Sequence, residues 1–314
     1  MRLFRISRWI LWAKNIILLF IISFAFYTTI PIKTSTTVFV PKGSITHIIT
    51  QLQTKGYDLN IIDSYILRFL GKIQSGWVHI GHTKLNRLDF LYRLTKAKAR
   101  IEIVKLIPGE TKVIFLEALA QQLSLDVNKL HKYYTQFSSY EEAGIYADTY
   151  YVPYGIQEKH LMNFLLRESK KKYMNISKKF YGTYEEKQWR KILIIASIVQ
   201  KEAANNAEMP LVSSVIYNRL KKNMRLQMDG TLNYGKYSHV KVTPQRLKTD
   251  TSHYNTYKHR GLPNTAIGAV ALSAIKSALS PAKTKYLYFM RNSQGVHDFS
   301  KSFKAHRKNI RKAQ

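Results

Sequence analysis

A charge-free apolar run from Ile16 to Ile32, IILLFIISFAFYTTIPI, constrains this chain more than any other stretch, because a helix so uniformly apolar cannot be covered by water. Ile10 to Ala13 extend the run if Lys14 snorkels toward an interface. It is long enough to span a bilayer, and no second run of this kind follows. Arg2, Arg5, Arg8 and Lys14 precede it, and the positive-inside rule then leaves the N-terminus in the cytoplasm and everything after Pro31 outside. With no clear small-x-small cleavage site after the run, an uncleaved anchor is expected over a cleaved signal peptide. The expected layout begins with a cytoplasmic N-terminus over 1–14 and a transmembrane anchor over 15–33.

Beyond the anchor the apolar content is ample for a buried core, so this is not a disordered chain. Fifty Lys and Arg face nineteen Asp and Glu, a formal charge of +31 that suits a polyanionic neighbour: nucleic acid, anionic lipid headgroups or a carboxylate-bearing wall. The anchor disfavours nucleic acid, and neither an RNA-binding signature nor zinc-ligand spacing accompanies the basic residues. The absence of cysteine excludes disulfides and thiolate metal sites, leaving stability to packing.

Thr36 to Val40 reads as a strand, Pro41-Lys42-Gly43 as a turn and Ser44 as the N-cap of a helix to about Thr54. The same order returns at Ile101 to Leu106, Pro108-Gly109 and a helix from Lys112 through Leu123. Between them Trp77 to Ile80 reads as a strand and Leu85 to Lys96 as a helix, with Leu88, Leu91 and Leu94 near one face. Glu142 to Pro153, EAGIYADTYYVP, mixes aromatic, hydroxyl and acidic groups in the manner of a sugar site, and equally of an amphipathic core strand. Helices are expected over 157–173 and 184–204, joined by a basic linker around Lys170 to Lys179, and another over 211–221 with Val212, Val215 and Leu220 inward. The segments around Leu226 to Asp229, Tyr254 to Tyr257 and Arg260 to Pro263 read as loops rich in aromatic and hydrogen-bonding groups.

One carboxylate stands out. In the helix ending near Ala204 the apolar residues Ile192, Ile195, Ile198 and Val199 recur at helical spacing, and Glu202 follows the last two by four and three residues. Glu202 is therefore expected on the core side at a helix C-terminus, where burial and the helix dipole both raise a carboxyl pKa. A structural acid paired with a nearby Lys or Arg is the alternative. From Lys191 onward the acids are Glu202, Glu208, Asp229, Asp250 and Asp298, and among them Glu202 alone sits on an apolar helix face. A typical glycosidase uses two carboxylates, and Asp229 is the second candidate; a substrate that supplies its own attacking hydroxyl needs Glu202 only.

In several ordered blocks the chain resembles the endolytic murein transglycosylase family, also called YceG-like. The blocks are VPKG from Val40, IPGET from Ile107, DTY from Asp148, ASIVQKEA from Ala196, NRL from Asn218 and RLQMDGTLNYG from Arg225. YNTY from Tyr254, GLP from Gly261, PAKTKYLYF from Pro281, and His297 with Phe299 complete them. The resemblance implies an α+β protein, with a LysM-like glycan-binding subdomain over 36–99 and a mixed α/β YceG-like catalytic domain over 100–314. It implies a single-pass inner-membrane enzyme whose periplasmic part cleaves peptidoglycan strands internally between N-acetylmuramic acid and N-acetylglucosamine, leaving 1,6-anhydro ends. Glu202 matches the family's catalytic glutamate, and Glu142, Asn218, Gln227, Asp229, Tyr254, Asn255 and Tyr257 occupy motif positions expected around the cleft. No metal or organic cofactor is implied, and peptidoglycan synthases are the expected partners.

The chain departs from the family pattern at Ala143, Ala147 and Met209, at Gly230 where Pro is frequent, and at Asn264-Thr265. A water-using muramidase with Asp229 as base and a weakly catalytic, membrane-anchored cell-wall-binding scaffold that recruits synthases are the competing readings.

Overall fold

The computed structural model describes residues 2–98 and 101–313, so the expected junction at 99 and 100 lies outside the described residues, as do the chain-end positions 1 and 314. Chain packing divides it into two units, one formed by Met1–Glu102 with Val152–Ile156 and the other by Ile103–Tyr151 with Gln157–Gln314.

The first unit opens with helix α1 (Arg2–Thr29). Its segment Trp9–Thr29, 21 residues with mean hydropathy 2.0, is long and apolar enough to cross a membrane, and none of it is buried against protein. Strand β1 (Pro31–Lys33), strand β2 (Thr37–Val40), helix α2 (Ile45–Thr54), helix α3 (Ile61–Leu70), strand β3 (Gly76–His79), strand β4 (Lys84–Asn86) and helix α4 (Arg87–Lys96) follow. β1 pairs antiparallel with β4, Ile32 opposite Leu85, and β2 pairs antiparallel with β3, Val38 opposite Val78. Ser44 caps α2 by accepting the His47 N–H, as its position before the helix predicts. The core joins Val38, Val40, Leu52, Leu67, Val78, Phe90, Leu91 and Leu94.

Two details depart from the pattern read in the sequence. α3 carries its own signal, a capping box in which Asn60 accepts the Ile62 N–H and Asp63 accepts the Asn60 N–H. In α4 the inward face is Arg87, Phe90, Leu91 and Leu94, so Leu88 falls out of phase and is 40 % exposed. A buried arginine occupies the position an apolar periodicity would give to leucine. It can do so because it is paired: Arg87 Nη1 donates to Asp63 Oδ2 at 2.7 Å, Nη2 donates to Asp58 Oδ2 at 3.1 Å, and the guanidinium lies 4.5 Å from the Tyr27 ring centre.

Strand β5 (Ile101–Lys105), helix α5 (Lys112–Leu123), helix α6 (Val127–Phe137), strand β6 (Thr149–Pro153), helix α7 (Glu158–Tyr181), helix α8 (Glu186–Glu202) and helix α9 (Met209–Lys221) come next. Helix α10 (Pro244–Thr249), helix α11 (Leu272–Leu279), strands β7 (Tyr288–Arg291) and β8 (His297–Ser300), and helix α12 (Phe303–Ala313) complete the chain. β5 pairs with β6, and β7 with β8 in an antiparallel hairpin. The expected linker over Lys170 to Lys179 is corrected here: α7 runs through it without a break. Lysine is a good helix former, and buried Ser169, Tyr173 and Ser177 recur every four residues beneath the exposed lysines. The helix stops at Gly182, whose φ of 75° is the left-handed cap a glycine adopts freely.

α8 is the axis of this second unit. Trp189, Ile192, Leu193, Ile195, Ala196, Ile198 and Val199 are buried on it, and α9 and α11 pack against it with Val212, Val215, Ala274 and Ile275. Most of its circumference is apolar, and the helix closes on the partly exposed Gln200, Lys201 and Glu202.

Candidate active site

Glu202 is the last residue of α8 and is partly buried. The backbone N–H of Gly230, in the 3₁₀ turn Asp229–Leu232, donates to its Oε1 at 2.6 Å. No described group bonds Oε2, which leaves one oxygen for a ligand. Burial drives the Glu202 carboxyl up to about 7; the Gly230 N–H opposes the shift and the Asp229 charge adds to it. A carboxyl poised there holds a proton part of the time at neutral pH and can both give and take one.

The turn that carries Gly230 is held by buried hydroxyls. Thr231 Oγ1 donates to Met228 O at 2.7 Å, Thr231 and Thr256 hydroxyls meet at 3.0 Å, and Met228 N–H donates to Thr256 Oγ1 at 3.1 Å. Gln227, exposed and at φ 51°, donates its N–H to Thr256 O, and its Oε1 accepts from Arg219 at 3.2 Å. Arg219 is buried and also donates to the carbonyls of Arg225, Leu226 and Leu287, so one guanidinium fixes the approach to the turn. Space is tight at Gly230: a Cβ there would lie 2.8 Å from Glu202 Oε1 and 3.0 Å from Lys201 Cβ.

Asp229 is exposed beside Glu202 and accepts a 2.6 Å bond from the Tyr257 hydroxyl. Burial, then this bond and charge, push the Tyr257 phenol well up, so it stays a donor. Tyr254 stacks on Tyr234 with ring centres 4.1 Å apart and 16° between planes, and its hydroxyl meets Thr265 Oγ1 at 2.7 Å. Asn255 is fully buried, its amide donating to Leu247 O and Asp250 O and its Oδ1 accepting the Tyr257 N–H; it shapes the loop that presents Tyr257. Asn218 donates to the carbonyls of Thr284 and Tyr286 and, with Lys221, Lys222, Lys285, Leu287 and Lys301, lines an open cavity of about 560 Å³.

Glu142 accepts the N–H groups of Lys112 and Ala143, and burial pushes its carboxyl up to about 7 against those bonds and the charges of Lys112 and Lys201. Lys201, adjacent to Glu202, is pulled down to about 8 by burial against the attraction of Glu110 and Glu142, and donates to Asn233 O and Ser238 Oγ. Burial would raise Glu110, but the Thr111 N–H and the His239 and Ser238 side chains outweigh it and hold the carboxyl below its usual range. Glu202, Gly230, Asp229 and Tyr257 thus form one group, and Glu142 belongs to a polar cluster centred on Lys201.

Three contributors were not picked out in the sequence: the Gly230 N–H, Lys201, and the pair in which Glu208 accepts from His297 N at 2.8 Å and contacts His297 Nδ1 at 2.7 Å. Glu208 also accepts the Ala204 N–H, so this pair ties the segment after α8 to β8. No local pattern marks such partners, since they stand 28 and 89 residues apart.

A partly buried carboxyl poised near neutrality, with one free oxygen beside loops of tyrosine and amide groups, is a candidate acid/base group on an α+β scaffold with one candidate membrane span among the described residues. The family profile matches residues 38–312, and the chain belongs to the YceG-like family. It is 43% identical over 119 residues to the endolytic murein transglycosylase of Bacillus subtilis (strain 168), 38% of this chain and 33% of that protein. To the endolytic murein transglycosylase of Streptococcus pneumoniae serotype 2 it is 31% identical over 139 residues, 42% of this chain and 25% of the relative. The matched segments therefore span a third or less of these relatives. The crystal structure of a YceG-like protein from Listeria monocytogenes superposes with a TM-score of 0.57 at 26% identity, covering 88% of this chain and 99% of that one.

Proposed function

We propose that this chain is a membrane-anchored endolytic lytic transglycosylase acting on peptidoglycan. The observation that carries the reading is the Glu202 carboxyl, held near 7 with one oxygen bonded and one free. Glu202 first protonates the glycosidic oxygen between N-acetylmuramic acid and N-acetylglucosamine, and the C1–O bond breaks. The carboxylate then accepts the C6 hydroxyl proton as that oxygen closes on C1, so no water is consumed. Asp229, Tyr257, Gln227 and Tyr254 present acceptor, donor and stacking groups to the sugars, while Asn255 and Asn218 act through the loops they hold, and Glu142 orders the neighbouring polar cluster. Mass spectrometry of digested strands tests the chemistry: anhydro ends, one water lighter than reducing ends, are expected, and reducing ends would make the enzyme a muramidase.

The Gly230 N–H is expected to tune the acid. It stabilises the ionised carboxylate, so Gly230→Pro, which removes the N–H and also sets a Cβ against Oε1, raises the Glu202 pKa and moves the alkaline limb of the kcat/KM profile upward. An unmoved limb would show that the bond does not set the working pH range.

The strand-helix-helix-strand order β2-α2-α3-β3, with the outer strands paired, supports a LysM-like, glycan-facing role for the segment from Thr37 to Lys98. Tyr27 near the end of α1 donates to Asn60 Oδ1 at 2.9 Å and accepts from Arg87, which supports an anchor retained as part of the first unit. Arg2, Arg5 and Arg8, ahead of the Trp9–Thr29 segment, support a folded part outside the cytoplasm, as a substrate of the wall requires, and peptidoglycan synthases remain the proposed partners.

A further inference from the structure

The first unit exposes an apolar stripe that its own core does not explain. On α3, Ile61 is 56 % exposed, Ile62 45 %, Tyr65 61 % and Phe69 93 %. Ile61, Tyr65 and Phe69 are spaced by four, so they share one face, opposite Asp63, Ser64, Ile66 and Leu67, which are buried. A soluble surface seldom leaves a phenylalanine, a tyrosine and two isoleucines uncovered on one helix.

The position of this helix is tied to the candidate span. Its N-cap, Asn60, accepts the Tyr27 hydroxyl at 2.9 Å, and Tyr27 lies two residues before the end of the Trp9–Thr29 segment. α3 therefore begins within one side chain of the place where the chain leaves the bilayer. A second helix starts at the same place, since Arg87 N–H donates to Ile30 O, and its first turn exposes Leu88. The charges also fit a lipid surface: the one acid of α3, Asp63, is buried against Arg87, whereas Arg68 is on the exposed side against the Tyr65 ring and Lys72 follows two residues after the helix.

We infer that the Ile61–Ile62–Tyr65–Phe69 face of α3 lies in the membrane interface beside the span, a second, in-plane attachment of the first unit. Tyrosine and phenylalanine then sit at headgroup depth, where aromatic rings are favoured, and the basic residues meet lipid phosphates. The inference rests on α1 being a membrane span. Its consequence is that the first unit is held at a fixed orientation on the bilayer instead of swinging on a tether.

The chain contains no cysteine, so single-cysteine variants carry one nitroxide each without background. Leu19→Cys in the span, Tyr65→Cys and Phe69→Cys on the stripe, and Lys171→Cys on exposed α7 are compared in full-length protein in phosphatidylcholine–phosphatidylglycerol nanodiscs. The labels at 19, 65 and 69 are expected to relax more with oxygen than with an aqueous nickel chelate, and the label at 171 the reverse. A lipid-facing label at 19 with water-facing labels at 65 and 69 would overturn the interfacial face and leave the anchor intact. Labels at 65 and 69 shielded from both reagents would overturn it in favour of a protein partner or a second copy. A water-facing label at 19 would remove the span and the inference together.

Discussion

Glu202→Gln is expected to lower strand cleavage about a thousandfold or more, since in the proposed mechanism one group supplies both proton transfers and each is commonly worth about 10²- to 10⁴-fold. Glutamine keeps the shape and can still accept the Gly230 N–H, so the loss isolates the proton and not the fold. Stability provides the control. The folded carboxyl sits at about 7 against an ordinary 4.5, so the folded state binds the proton more tightly than the unfolded state. The resulting penalty is absent at low pH, grows between about 4.5 and 7, and is full above that window, on the order of 3 kcal/mol. Urea unfolding should therefore show Glu202→Gln gaining stability over wild type at pH 8 and little at pH 4.5. A gain that did not change with pH would mean that the carboxylate is not strained by burial. Undiminished cleavage by the variant would instead move the chemistry elsewhere, and undiminished function in cells would favour a scaffold.

The second large effect falls on the first unit. Asp63→Ala is expected to destabilise it by roughly 3 kcal/mol, the lower end of the usual cost of breaking a buried ion pair, because Arg87 keeps its 3.1 Å bond to the exposed Asp58. Arg87 is 2 % exposed and Asp63 wholly buried, so water cannot replace the 2.7 Å bond. The same carboxylate closes the capping box of α3, and the change removes that as well. Replacing both partners with apolar residues, Asp63→Leu with Arg87→Met, should cost less than the single change, because no charge is stranded. Hydrogen exchange over residues 37–98 reads the difference. Equal loss of protection in the single and double variants would show that the cap, and not the buried charge, carries the effect.

Much of the local structure was legible because it depends on neighbours a few residues apart. Ser44 announced α2, the Pro108-Gly109 turn announced α5 over Lys112–Leu123, and the i, i+3, i+4 pattern put Glu202 on the inward face of α8. α3 is also written locally, in the Asn60–Asp63 capping box, but its exposed stripe blurs the apolar period. The basic composition of α7 points to a linker, whereas the four-residue spacing of Ser169, Tyr173 and Ser177 is helical.

The long apolar N-terminal helix, most other helices and strands, and the carboxylate set against an apolar face are legible in the sequence, since these follow from periodicity, capping and charge. Only the tertiary structure shows which backbone N–H meets Glu202, that Arg87 rather than Leu88 turns inward, that Asn255 is buried, and that α3 begins beside the end of α1. Apart from Asn255, those outcomes depend on groups brought together across 24 to 33 residues by packing, and no short-range rule of the chain encodes which distant partner arrives.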